Sequence, residues 1–433
     1  SLFMLIFAVQ ILIPGIAISL ILAATPPPVT GQPFFDRIYG DLSAAEVLIS
    51  AALTAFFVFS LYIAFLATTG EWRQRCRFPT TSITLHKGKV WSVVAIGLLS
   101  SLILLRQLSP NGLSEGYRAL ILFRAQDPSV YEPSFLTANL FALTQTFALF
   151  SILTITATYK RRRLRTFSCA LAVVALLGVM TASRRGIALQ AVLVCFAFML
   201  ARKKWYVGIA TVLFAICFPL LVFGKSFLAL LATGRTFAEI VEGLAGADFL
   251  GSILAGMSYL GITLTSSWAT LMYLDIPTRF GADHLLAALR FLPLGVLGYD
   301  ESTLFPERIV RLSTAAFLGE DQLDIPPGLL GAMWLDGWVF GPLVWGGLYG
   351  AVIGRMQSAY NRFENSIEAA GVFVILLFVV ALPLNTGSLD FNFSVDMLFL
   401  LIFVGFAVKS RKRRPFKAGG VCPVSAAQDV PKG

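Results

Sequence analysis

Long apolar runs, separated by short polar stretches, make up most of the sequence. Most of these runs approach the roughly 20 residues that a helix needs to cross the hydrocarbon core of a bilayer. The pattern therefore predicts an all-α polytopic membrane protein with about ten transmembrane helices. The predicted spans lie at about residues 2–24, 45–68, 90–108, 135–158, 166–180, 187–201, 206–231, 331–354, 370–387 and 396–408.

Basic residues cluster in the polar stretches that follow every second run. These clusters extend from Arg73 to Lys89, from Lys160 to Arg165, from Arg202 to Lys204 and from Lys409 to Arg414. Since short loops rich in Lys and Arg stay in the cytoplasm, both termini and these loops are predicted to be cytoplasmic. The net charge of +10 is thus explained by membrane orientation and does not indicate nucleic-acid binding.

The composition supports this class, because 57% of the residues are hydrophobic and only 13% are charged, which excludes an ordinary soluble domain. The first run is too long for a cleavable signal peptide and lacks a basic flank, so it is predicted to be a span. Three cysteines fall in predicted spans, one in a cytoplasmic loop and one in the tail. We therefore expect no structural disulfide and no cysteine-based metal site.

Residues 232–330 interrupt the regular alternation, because they contain no clear basic cluster. Their apolar pieces, at about 249–274 and 285–298, could form a span, a re-entrant segment or surface helices. One extra full span would reverse the orientation of everything that follows, so an extracytoplasmic cap of surface helices is favoured. The chain is thus divided into an N-terminal bundle (1–231), this outer loop (232–330), C-terminal helices (331–409) and a basic, disordered tail (410–433).

Arg184 and Arg185 occupy a very tight turn between two predicted spans. The basic clusters at the far ends of those spans place this turn on the outer side of the membrane. A guanidinium group presents a planar fork of donors that suits phosphate, so the turn predicts an anion site. The alternative is that both arginines only snorkel toward lipid headgroups.

Two further features of the outer side remain open to more than one interpretation. The segment Tyr117–Arg124 has enough apolar residues to lie along the membrane surface as an interfacial helix. Alternatively, Arg118 or Arg124 joins the anion site of the hairpin. Asp336, near the outer end of the span at 331–354, could contact hydroxyl groups of a ligand or pair with an arginine to hold the cap, and the structural role is favoured.

The motifs of common soluble enzymes are missing from the chain. It has no P-loop, no dinucleotide-binding glycine pattern, no H-E-x-x-H and no G-x-S-x-G. It also lacks the D-x-D pair with which glycosyltransferases commonly hold a metal on a nucleotide sugar. An anionic donor would therefore have to be neutralised by arginines, which can also stabilise a departing phosphate.

Two motifs resemble those of the bacterial oligosaccharide repeat-unit polymerases, the O-antigen or Wzy-type family. Thr181-Ala182-Ser183-Arg184-Arg185-Gly186 resembles the family's T-x-S-R-G turn, although Arg185 stands where a glycine often follows a single arginine. Pro326 to Gly331, followed by Trp334 to Gly341, is similar to the family's later P-x-x-L-G and G-x-x-G stretch. The order of the motifs and the large outer loop between them also agree.

The resemblance implies a metal-independent glycosyltransferase without a cofactor, with a fold similar to that of GT-C membrane enzymes. Such polymerases act at the periplasmic face of the bacterial inner membrane. They transfer the growing glycan from undecaprenyl pyrophosphate to a hydroxyl of a new lipid-linked unit. The family also suggests a chain-length regulator as a partner, in addition to lipid-linked oligosaccharides and membrane lipids.

The resemblance also gives roles to individual residues. Arg184, Arg185 or both would bind the donor pyrophosphate. Further candidate ligands for pyrophosphate or glycan are Arg118, Arg124, Arg235, Arg279, Arg290 and Asp336. His284, which follows Asp283 in the outer loop, is the candidate general base for the acceptor hydroxyl. The acidic residues that compete for this role are Glu239, Glu242 and Asp248.

Three other functions remain as alternatives. A related ligase would transfer the finished glycan from the same carrier to lipid A core, and sequence barely separates it from a polymerase. A transporter or flippase for lipid-linked glycans would carry charged residues at mid-bilayer, where this sequence has few. A structural membrane protein would use the arginine hairpin only as an anchor.

Overall fold

The computed structural model describes the predicted spans except the first and the seventh. The described residues are 44–69, 81–109, 111–124, 135–159, 163–181, 184–201, 328–361, 366–386, 395–412 and the single positions 208, 239, 279, 280 and 282. Predictions for 2–24 and 206–231, and for nearly all of the outer loop, lie outside these residues.

Eleven helices and two strands are formed by the residues that the structure describes. The helices are α1 (Ala44–Thr69), α2 (Lys87–Leu108), α3 (Leu113–Arg124), α4 (Phe135–Phe150), α5 (Ile152–Thr158), α6 (Leu164–Met180), α7 (Arg184–Leu200), α8 (Gly328–Gly337), α9 (Phe340–Asn361), α10 (Ile367–Thr386) and α11 (Val395–Ala407). The strands are β1 (Thr81–Leu85) and β2 (Val408–Lys412).

This architecture confirms the helical class, since 89% of the described residues are helical. Three stretches are long and apolar enough to cross a membrane: Ala51–Thr69, Lys87–Leu108 and Asn139–Thr158. The bent pair of α8 and α9 would add a fourth, and further apolar helices are shorter. The predicted number of ten spans and their orientation stay predictions.

A glycine-lined face of α9 packs against α1. Gly346, Gly350 and Gly354 are spaced four residues apart, so they lie on one side of the helix. A Cβ atom added at Gly346 would lie 2.5 Å from the carbonyl oxygen of Phe57. Ser60 Oγ donates a hydrogen bond of 2.5 Å to the carbonyl oxygen of Leu343. The missing side chains therefore let two apolar helices approach closely, as is common within membranes.

The core of the bundle lies where α2, α4, α10 and α11 meet. Phe147 fills the space above Gly97, and its ring stacks on that of Phe403 with centroids 5.2 Å apart. A second cluster joins α5, α6, α7 and the start of α10 around Ile155, Val194 and Ala370. Because these buried residues come from both halves of the sequence, the described helices form one packed bundle.

Four hydrogen bonds define one end of this bundle, which we call the sheet end. Tyr360 Oη donates to the carbonyl oxygen of Leu200 at 2.9 Å, which joins the last turns of α9 and α7. A second bond joins β1 to the start of α10. A third joins the start of α2 to the end of α11. The fourth joins the end of α9 to the end of α1. We call the opposite end the arginine end, because α7 runs from Arg184 to the sheet end.

A two-stranded sheet joins the segment before α2 to the segment after α11. β1 and β2 pair antiparallel, with Leu85 opposite Val408 and Thr81 opposite Lys412. Residues 410–412, at the start of the predicted basic tail, thus form part of a strand. Ile83 and Leu85 are buried against the bundle, and Glu368 accepts a hydrogen bond of 3.1 Å from the amide of Leu85. These contacts stabilise a pair of strands that alone would be marginal.

The predicted span at 331–354 contains a sharp bend. It consists of α8 and the start of α9, which meet at a bend of 111° after Gly337. Trp338 adopts a left-handed backbone conformation with φ of 48°, which ends α8. Pro342 lies in the first turn of α9, where its missing amide hydrogen costs no helical hydrogen bond.

Candidate functional site at the arginine end

The structure brings several predicted site residues to the same end of the bundle. Arg184 and Arg185 begin α7, and Asp336 lies in α8 just before the bend into α9. Arg118 lies in α3, which packs on the last turns of α2 at this end. Arg279 is attached by its backbone to α8. Residues that are far apart in sequence thus share one end of the fold.

Other predicted site residues cannot be placed in this arrangement. Arg124 ends α3, but its side chain is not among those described. Glu239 is described as an exposed single position. The candidate general base and several proposed ligands and competitors lie outside the described residues: His284, Asp283, Arg235, Arg290, Glu242 and Asp248.

The two helices of the predicted arginine hairpin are present as α6 and α7, which are separated by three residues in the sequence. Buried Thr181 ends α6: its amide donates to the carbonyl oxygen of Leu177 at 3.2 Å, and its hydroxyl donates to that of Gly178 at 2.7 Å. Arg184 begins α7 three residues later. The free amides of a first helical turn favour negative charge nearby, so the start of α7 offers backbone donors to an anion.

Gln190 fixes the helix that carries these arginines. It is buried, and its side-chain nitrogen donates a hydrogen bond of 2.5 Å to the carbonyl oxygen of Ala148 in α4. Gln190 follows Arg184 by less than two helical turns, so this bond holds the start of α7 against the bundle. The sequence analysis did not identify Gln190, although a lone amide in an apolar run is a signal of such a role.

Asp336 holds the two helices of the bend together. Its carboxylate is buried, with 7% of the residue exposed, and its Oδ2 accepts a hydrogen bond of 2.8 Å from Trp345 Nε1. The two residues belong to α8 and α9, on opposite sides of the bend. This contact is structural, and its partner Trp345 was not predicted. Pairing of Asp336 with an arginine to hold the cap stays a prediction.

Arg279 is attached beside the same bend. Its backbone amide donates to the carbonyl oxygen of Leu335 at 2.8 Å. The next residue, Phe280, has a φ of 50°, so both chain segments at this junction contain an aromatic residue in the left-handed region. Such a conformation costs about 1–3 kcal/mol for a residue with a side chain, and it is found preferentially at ligand sites and switches.

Arg118 is exposed on α3, which forms the helix predicted for Tyr117–Arg124. The buried side of α3 packs through Leu120 and Ile121 onto α2. Tyr117 is partly buried, and this burial raises the pKa of its phenol above the usual value. A phenol is uncharged at neutral pH even at its usual pKa, so Tyr117 adds no negative charge beside Arg118.

The chain places four arginines at this end by the position of their backbones: Arg118, Arg184, Arg185 and Arg279. Of these, Arg118 is described as an exposed side chain, whereas the carboxylate of Asp336 is buried and bonded to Trp345. Among the residues that the structure describes, no group of three His, Cys, Asp or Glu side chains could hold a metal ion. Arginine side chains are suited to bind an anion and to stabilise negative charge on a leaving group.

The fold and this site define the class as a helical protein with several apolar helices that could span a membrane. No family model, no curated protein and no solved structure matches the chain. The class therefore rests on the helices themselves.

Asp336→Asn is expected to keep the fold, since the amide oxygen of asparagine can still accept the Trp345 hydrogen bond. Asp336→Ala removes the acceptor and leaves a half-buried indole N–H without this partner, which costs about 1–3 kcal/mol. Unfolding of both variants in detergent, followed by circular dichroism, measures the difference. Equal loss of stability in the two variants would show that the carboxylate charge itself is required.

Proposed function

We propose that the protein is a polymerase of lipid-linked oligosaccharides, with its active site at the arginine end facing the periplasm. The observation that carries the proposal is the common location of Arg118, Arg184, Arg185 and Arg279 at that end. A pyrophosphate donor needs several cations when no metal is used, and these residues are the type that binds phosphate through paired hydrogen bonds. The resemblance of the two sequence motifs to Wzy-type polymerases supplies the reaction.

In the proposed reaction, a hydroxyl of the new lipid-linked unit attacks the anomeric carbon at the reducing end of the growing glycan. A bond forms between that carbon and the hydroxyl oxygen, and the bond from the carbon to the pyrophosphate oxygen breaks. A general base takes the hydroxyl proton, and His284 is the candidate. Undecaprenyl pyrophosphate leaves with the electron pair, and the arginines stabilise its developing charge.

The direction of the helices supports the proposed orientation. The sheet end contains the basic starts of α2 and α6 and the basic strand β2, which are the segments that the positive-inside rule assigns to the cytoplasm. The arginine hairpin is then on the other side of the membrane. α1 and α9 pack in parallel, with Ser60 near Leu343 and Thr69 near Ser358, as the predicted orientation of both spans requires.

The proposal is tested with purified protein in lipid vesicles and undecaprenyl-pyrophosphate oligosaccharide as the only substrate, without metal or nucleotide. A ladder of longer lipid-linked products is expected. If folded protein gives no ladder but transfers glycan to added lipid A core, the protein is a ligase. If it gives neither product and moves the lipid-linked glycan between leaflets, it is a transporter.

A further inference from the structure

An exposed stripe runs along α2 from the sheet end toward the middle of the bundle. Its residues recur every three or four positions: Lys89, Ser92, Ile96, Leu99 and Ile103. At 1.5 Å per residue, the part from Ser92 to Ile103 extends about 16 Å, which is close to the hydrocarbon depth of one leaflet. The stripe therefore combines a cation at one end with an apolar surface of acyl-chain length.

A second exposed stripe lies beside it on α11. It consists of Leu398, Ile402 and Phe406, which are four residues apart. Lys89 Nζ lies 4.4 Å from the centre of the Phe406 ring, so the two stripes meet at the sheet end. The amide of His86 also donates to the carbonyl oxygen of Ala407 at 3.0 Å, which fixes the start of α2 against the end of α11.

Positive charge accumulates where the stripes meet. Lys409 lies three residues beyond Phe406 and is exposed. In the sheet it is paired with Thr84, which carries no charge. Glu368 is the carboxylate that the described residues place closest to the sheet, but it is buried and accepts the amide of Leu85. Within the described part of the chain, no exposed acidic side chain at this end neutralises Lys89 and Lys409.

We infer that the two stripes form a binding site for an anionic phospholipid of the adjacent leaflet. The phosphate lies between Lys89 and Lys409, and an acyl chain follows the apolar parts of α2 and α11. An anionic phospholipid fits because it joins a negative group to an apolar chain in the same order as the surface does. The site is at the opposite end from the proposed pyrophosphate site, so it stands without the proposed function.

Binding is measured by titrating phosphatidylglycerol or phosphatidylcholine into detergent-purified protein and counting retained lipids by native mass spectrometry. Each lysine near an anionic headgroup contributes about fivefold in affinity. We expect the wild type to prefer phosphatidylglycerol about 25-fold, and Lys89→Gln or Lys409→Gln to reduce this preference about fivefold each. Arg165→Gln, which removes an exposed cation from α6 at the same end, is the matched control.

Three results would overturn this inference. Equal affinity for the two lipids would show that the surface is ordinary lipid-facing protein. If Lys89→Gln and Arg165→Gln reduce the preference for phosphatidylglycerol equally, the lipid responds to a diffuse surface charge and not to a site. Unchanged phosphatidylglycerol binding in the Lys89→Gln, Lys409→Gln double variant would place the headgroup elsewhere. Thermal unfolding in phosphatidylcholine alone verifies that every variant is folded before it is titrated.

Discussion

The double substitution Arg184→Ala, Arg185→Ala is expected to abolish polymer formation while the protein still folds and inserts. The arginines begin α7, and Gln190 together with the packing of Leu193 and Val194 holds this helix against the bundle. Removing one donor that stabilises a developing oxyanion typically lowers the rate about 10²–10³-fold. Removing both arginines is expected to lower the rate further. The single variants are expected to differ, because the family that the turn resembles has a single arginine there and this chain has two.

The measurement is the product ladder formed by each variant in lipid vesicles, at equal amounts of folded protein. Arg165→Ala is the control, because it removes an exposed arginine at the sheet end. Arg184→Lys and Arg185→Lys keep the charge but lose the planar fork, so an intermediate rate would indicate bidentate phosphate binding. Normal ladders from both single variants and the double variant would disprove the pyrophosphate site.

Gly350→Ala is expected to destabilise the packing of α1 on α9 strongly. The new Cβ would overlap the backbone carbonyl oxygen of Leu61 and lie 2.9 Å from Cβ of Ala64. Backbone cannot rotate away as a side chain can, so α1 and α9 must separate along their shared face. Overpacking of this kind costs about 1–3 kcal/mol and occasionally more.

Gly347→Ala provides the comparison, because its Cβ would meet only Ser60 Oγ at an ordinary 3.4 Å. Both changes replace glycine by alanine in the same helix, so the effect of helix propensity is the same in the two variants. Denaturation in dodecyl sulfate, followed by circular dichroism, gives the difference in unfolding free energy. If the two variants unfold at the same denaturant fraction, the close packing of α1 on α9 is not what stabilises this pair.

The helices could be predicted well because their physical cause is local. An apolar run bounded by charge has few alternatives in a membrane, and the two helices of the arginine hairpin begin and end within a few residues of the predicted spans. The bend after Gly337 was missed for the same reason: hydropathy continues through it without interruption. Only Trp338, with its left-handed backbone, ends α8, and no run of residue types reveals that conformation.

Side-chain contacts between positions far apart in the sequence could not be derived from its pattern of apolar and polar residues. On a straight helix, residues nine apart lie about 180° from each other, so Asp336 and Trp345 would face opposite sides. The bend alone lets them bond. The anion site stays a prediction from the charge pattern. The attachment of Arg279 to Leu335 depends on tertiary structure and could not be derived from that pattern.

The sheet has a consequence for how the chain is made. Its two strands are separated by more than 300 residues, and β2 is synthesised after every described helix. At about 5–20 residues per second, β1 waits roughly 15–60 s on the ribosome-bound chain before its partner emerges. During that time β1 has no partner strand, and the amide of Leu85 has no bond to Glu368 until that residue is synthesised. Pairing of β1 with β2 is thus a late step that joins the two halves of the bundle, and a chain stopped before Val408 keeps an open strand edge that quality-control proteases and chaperones can recognise.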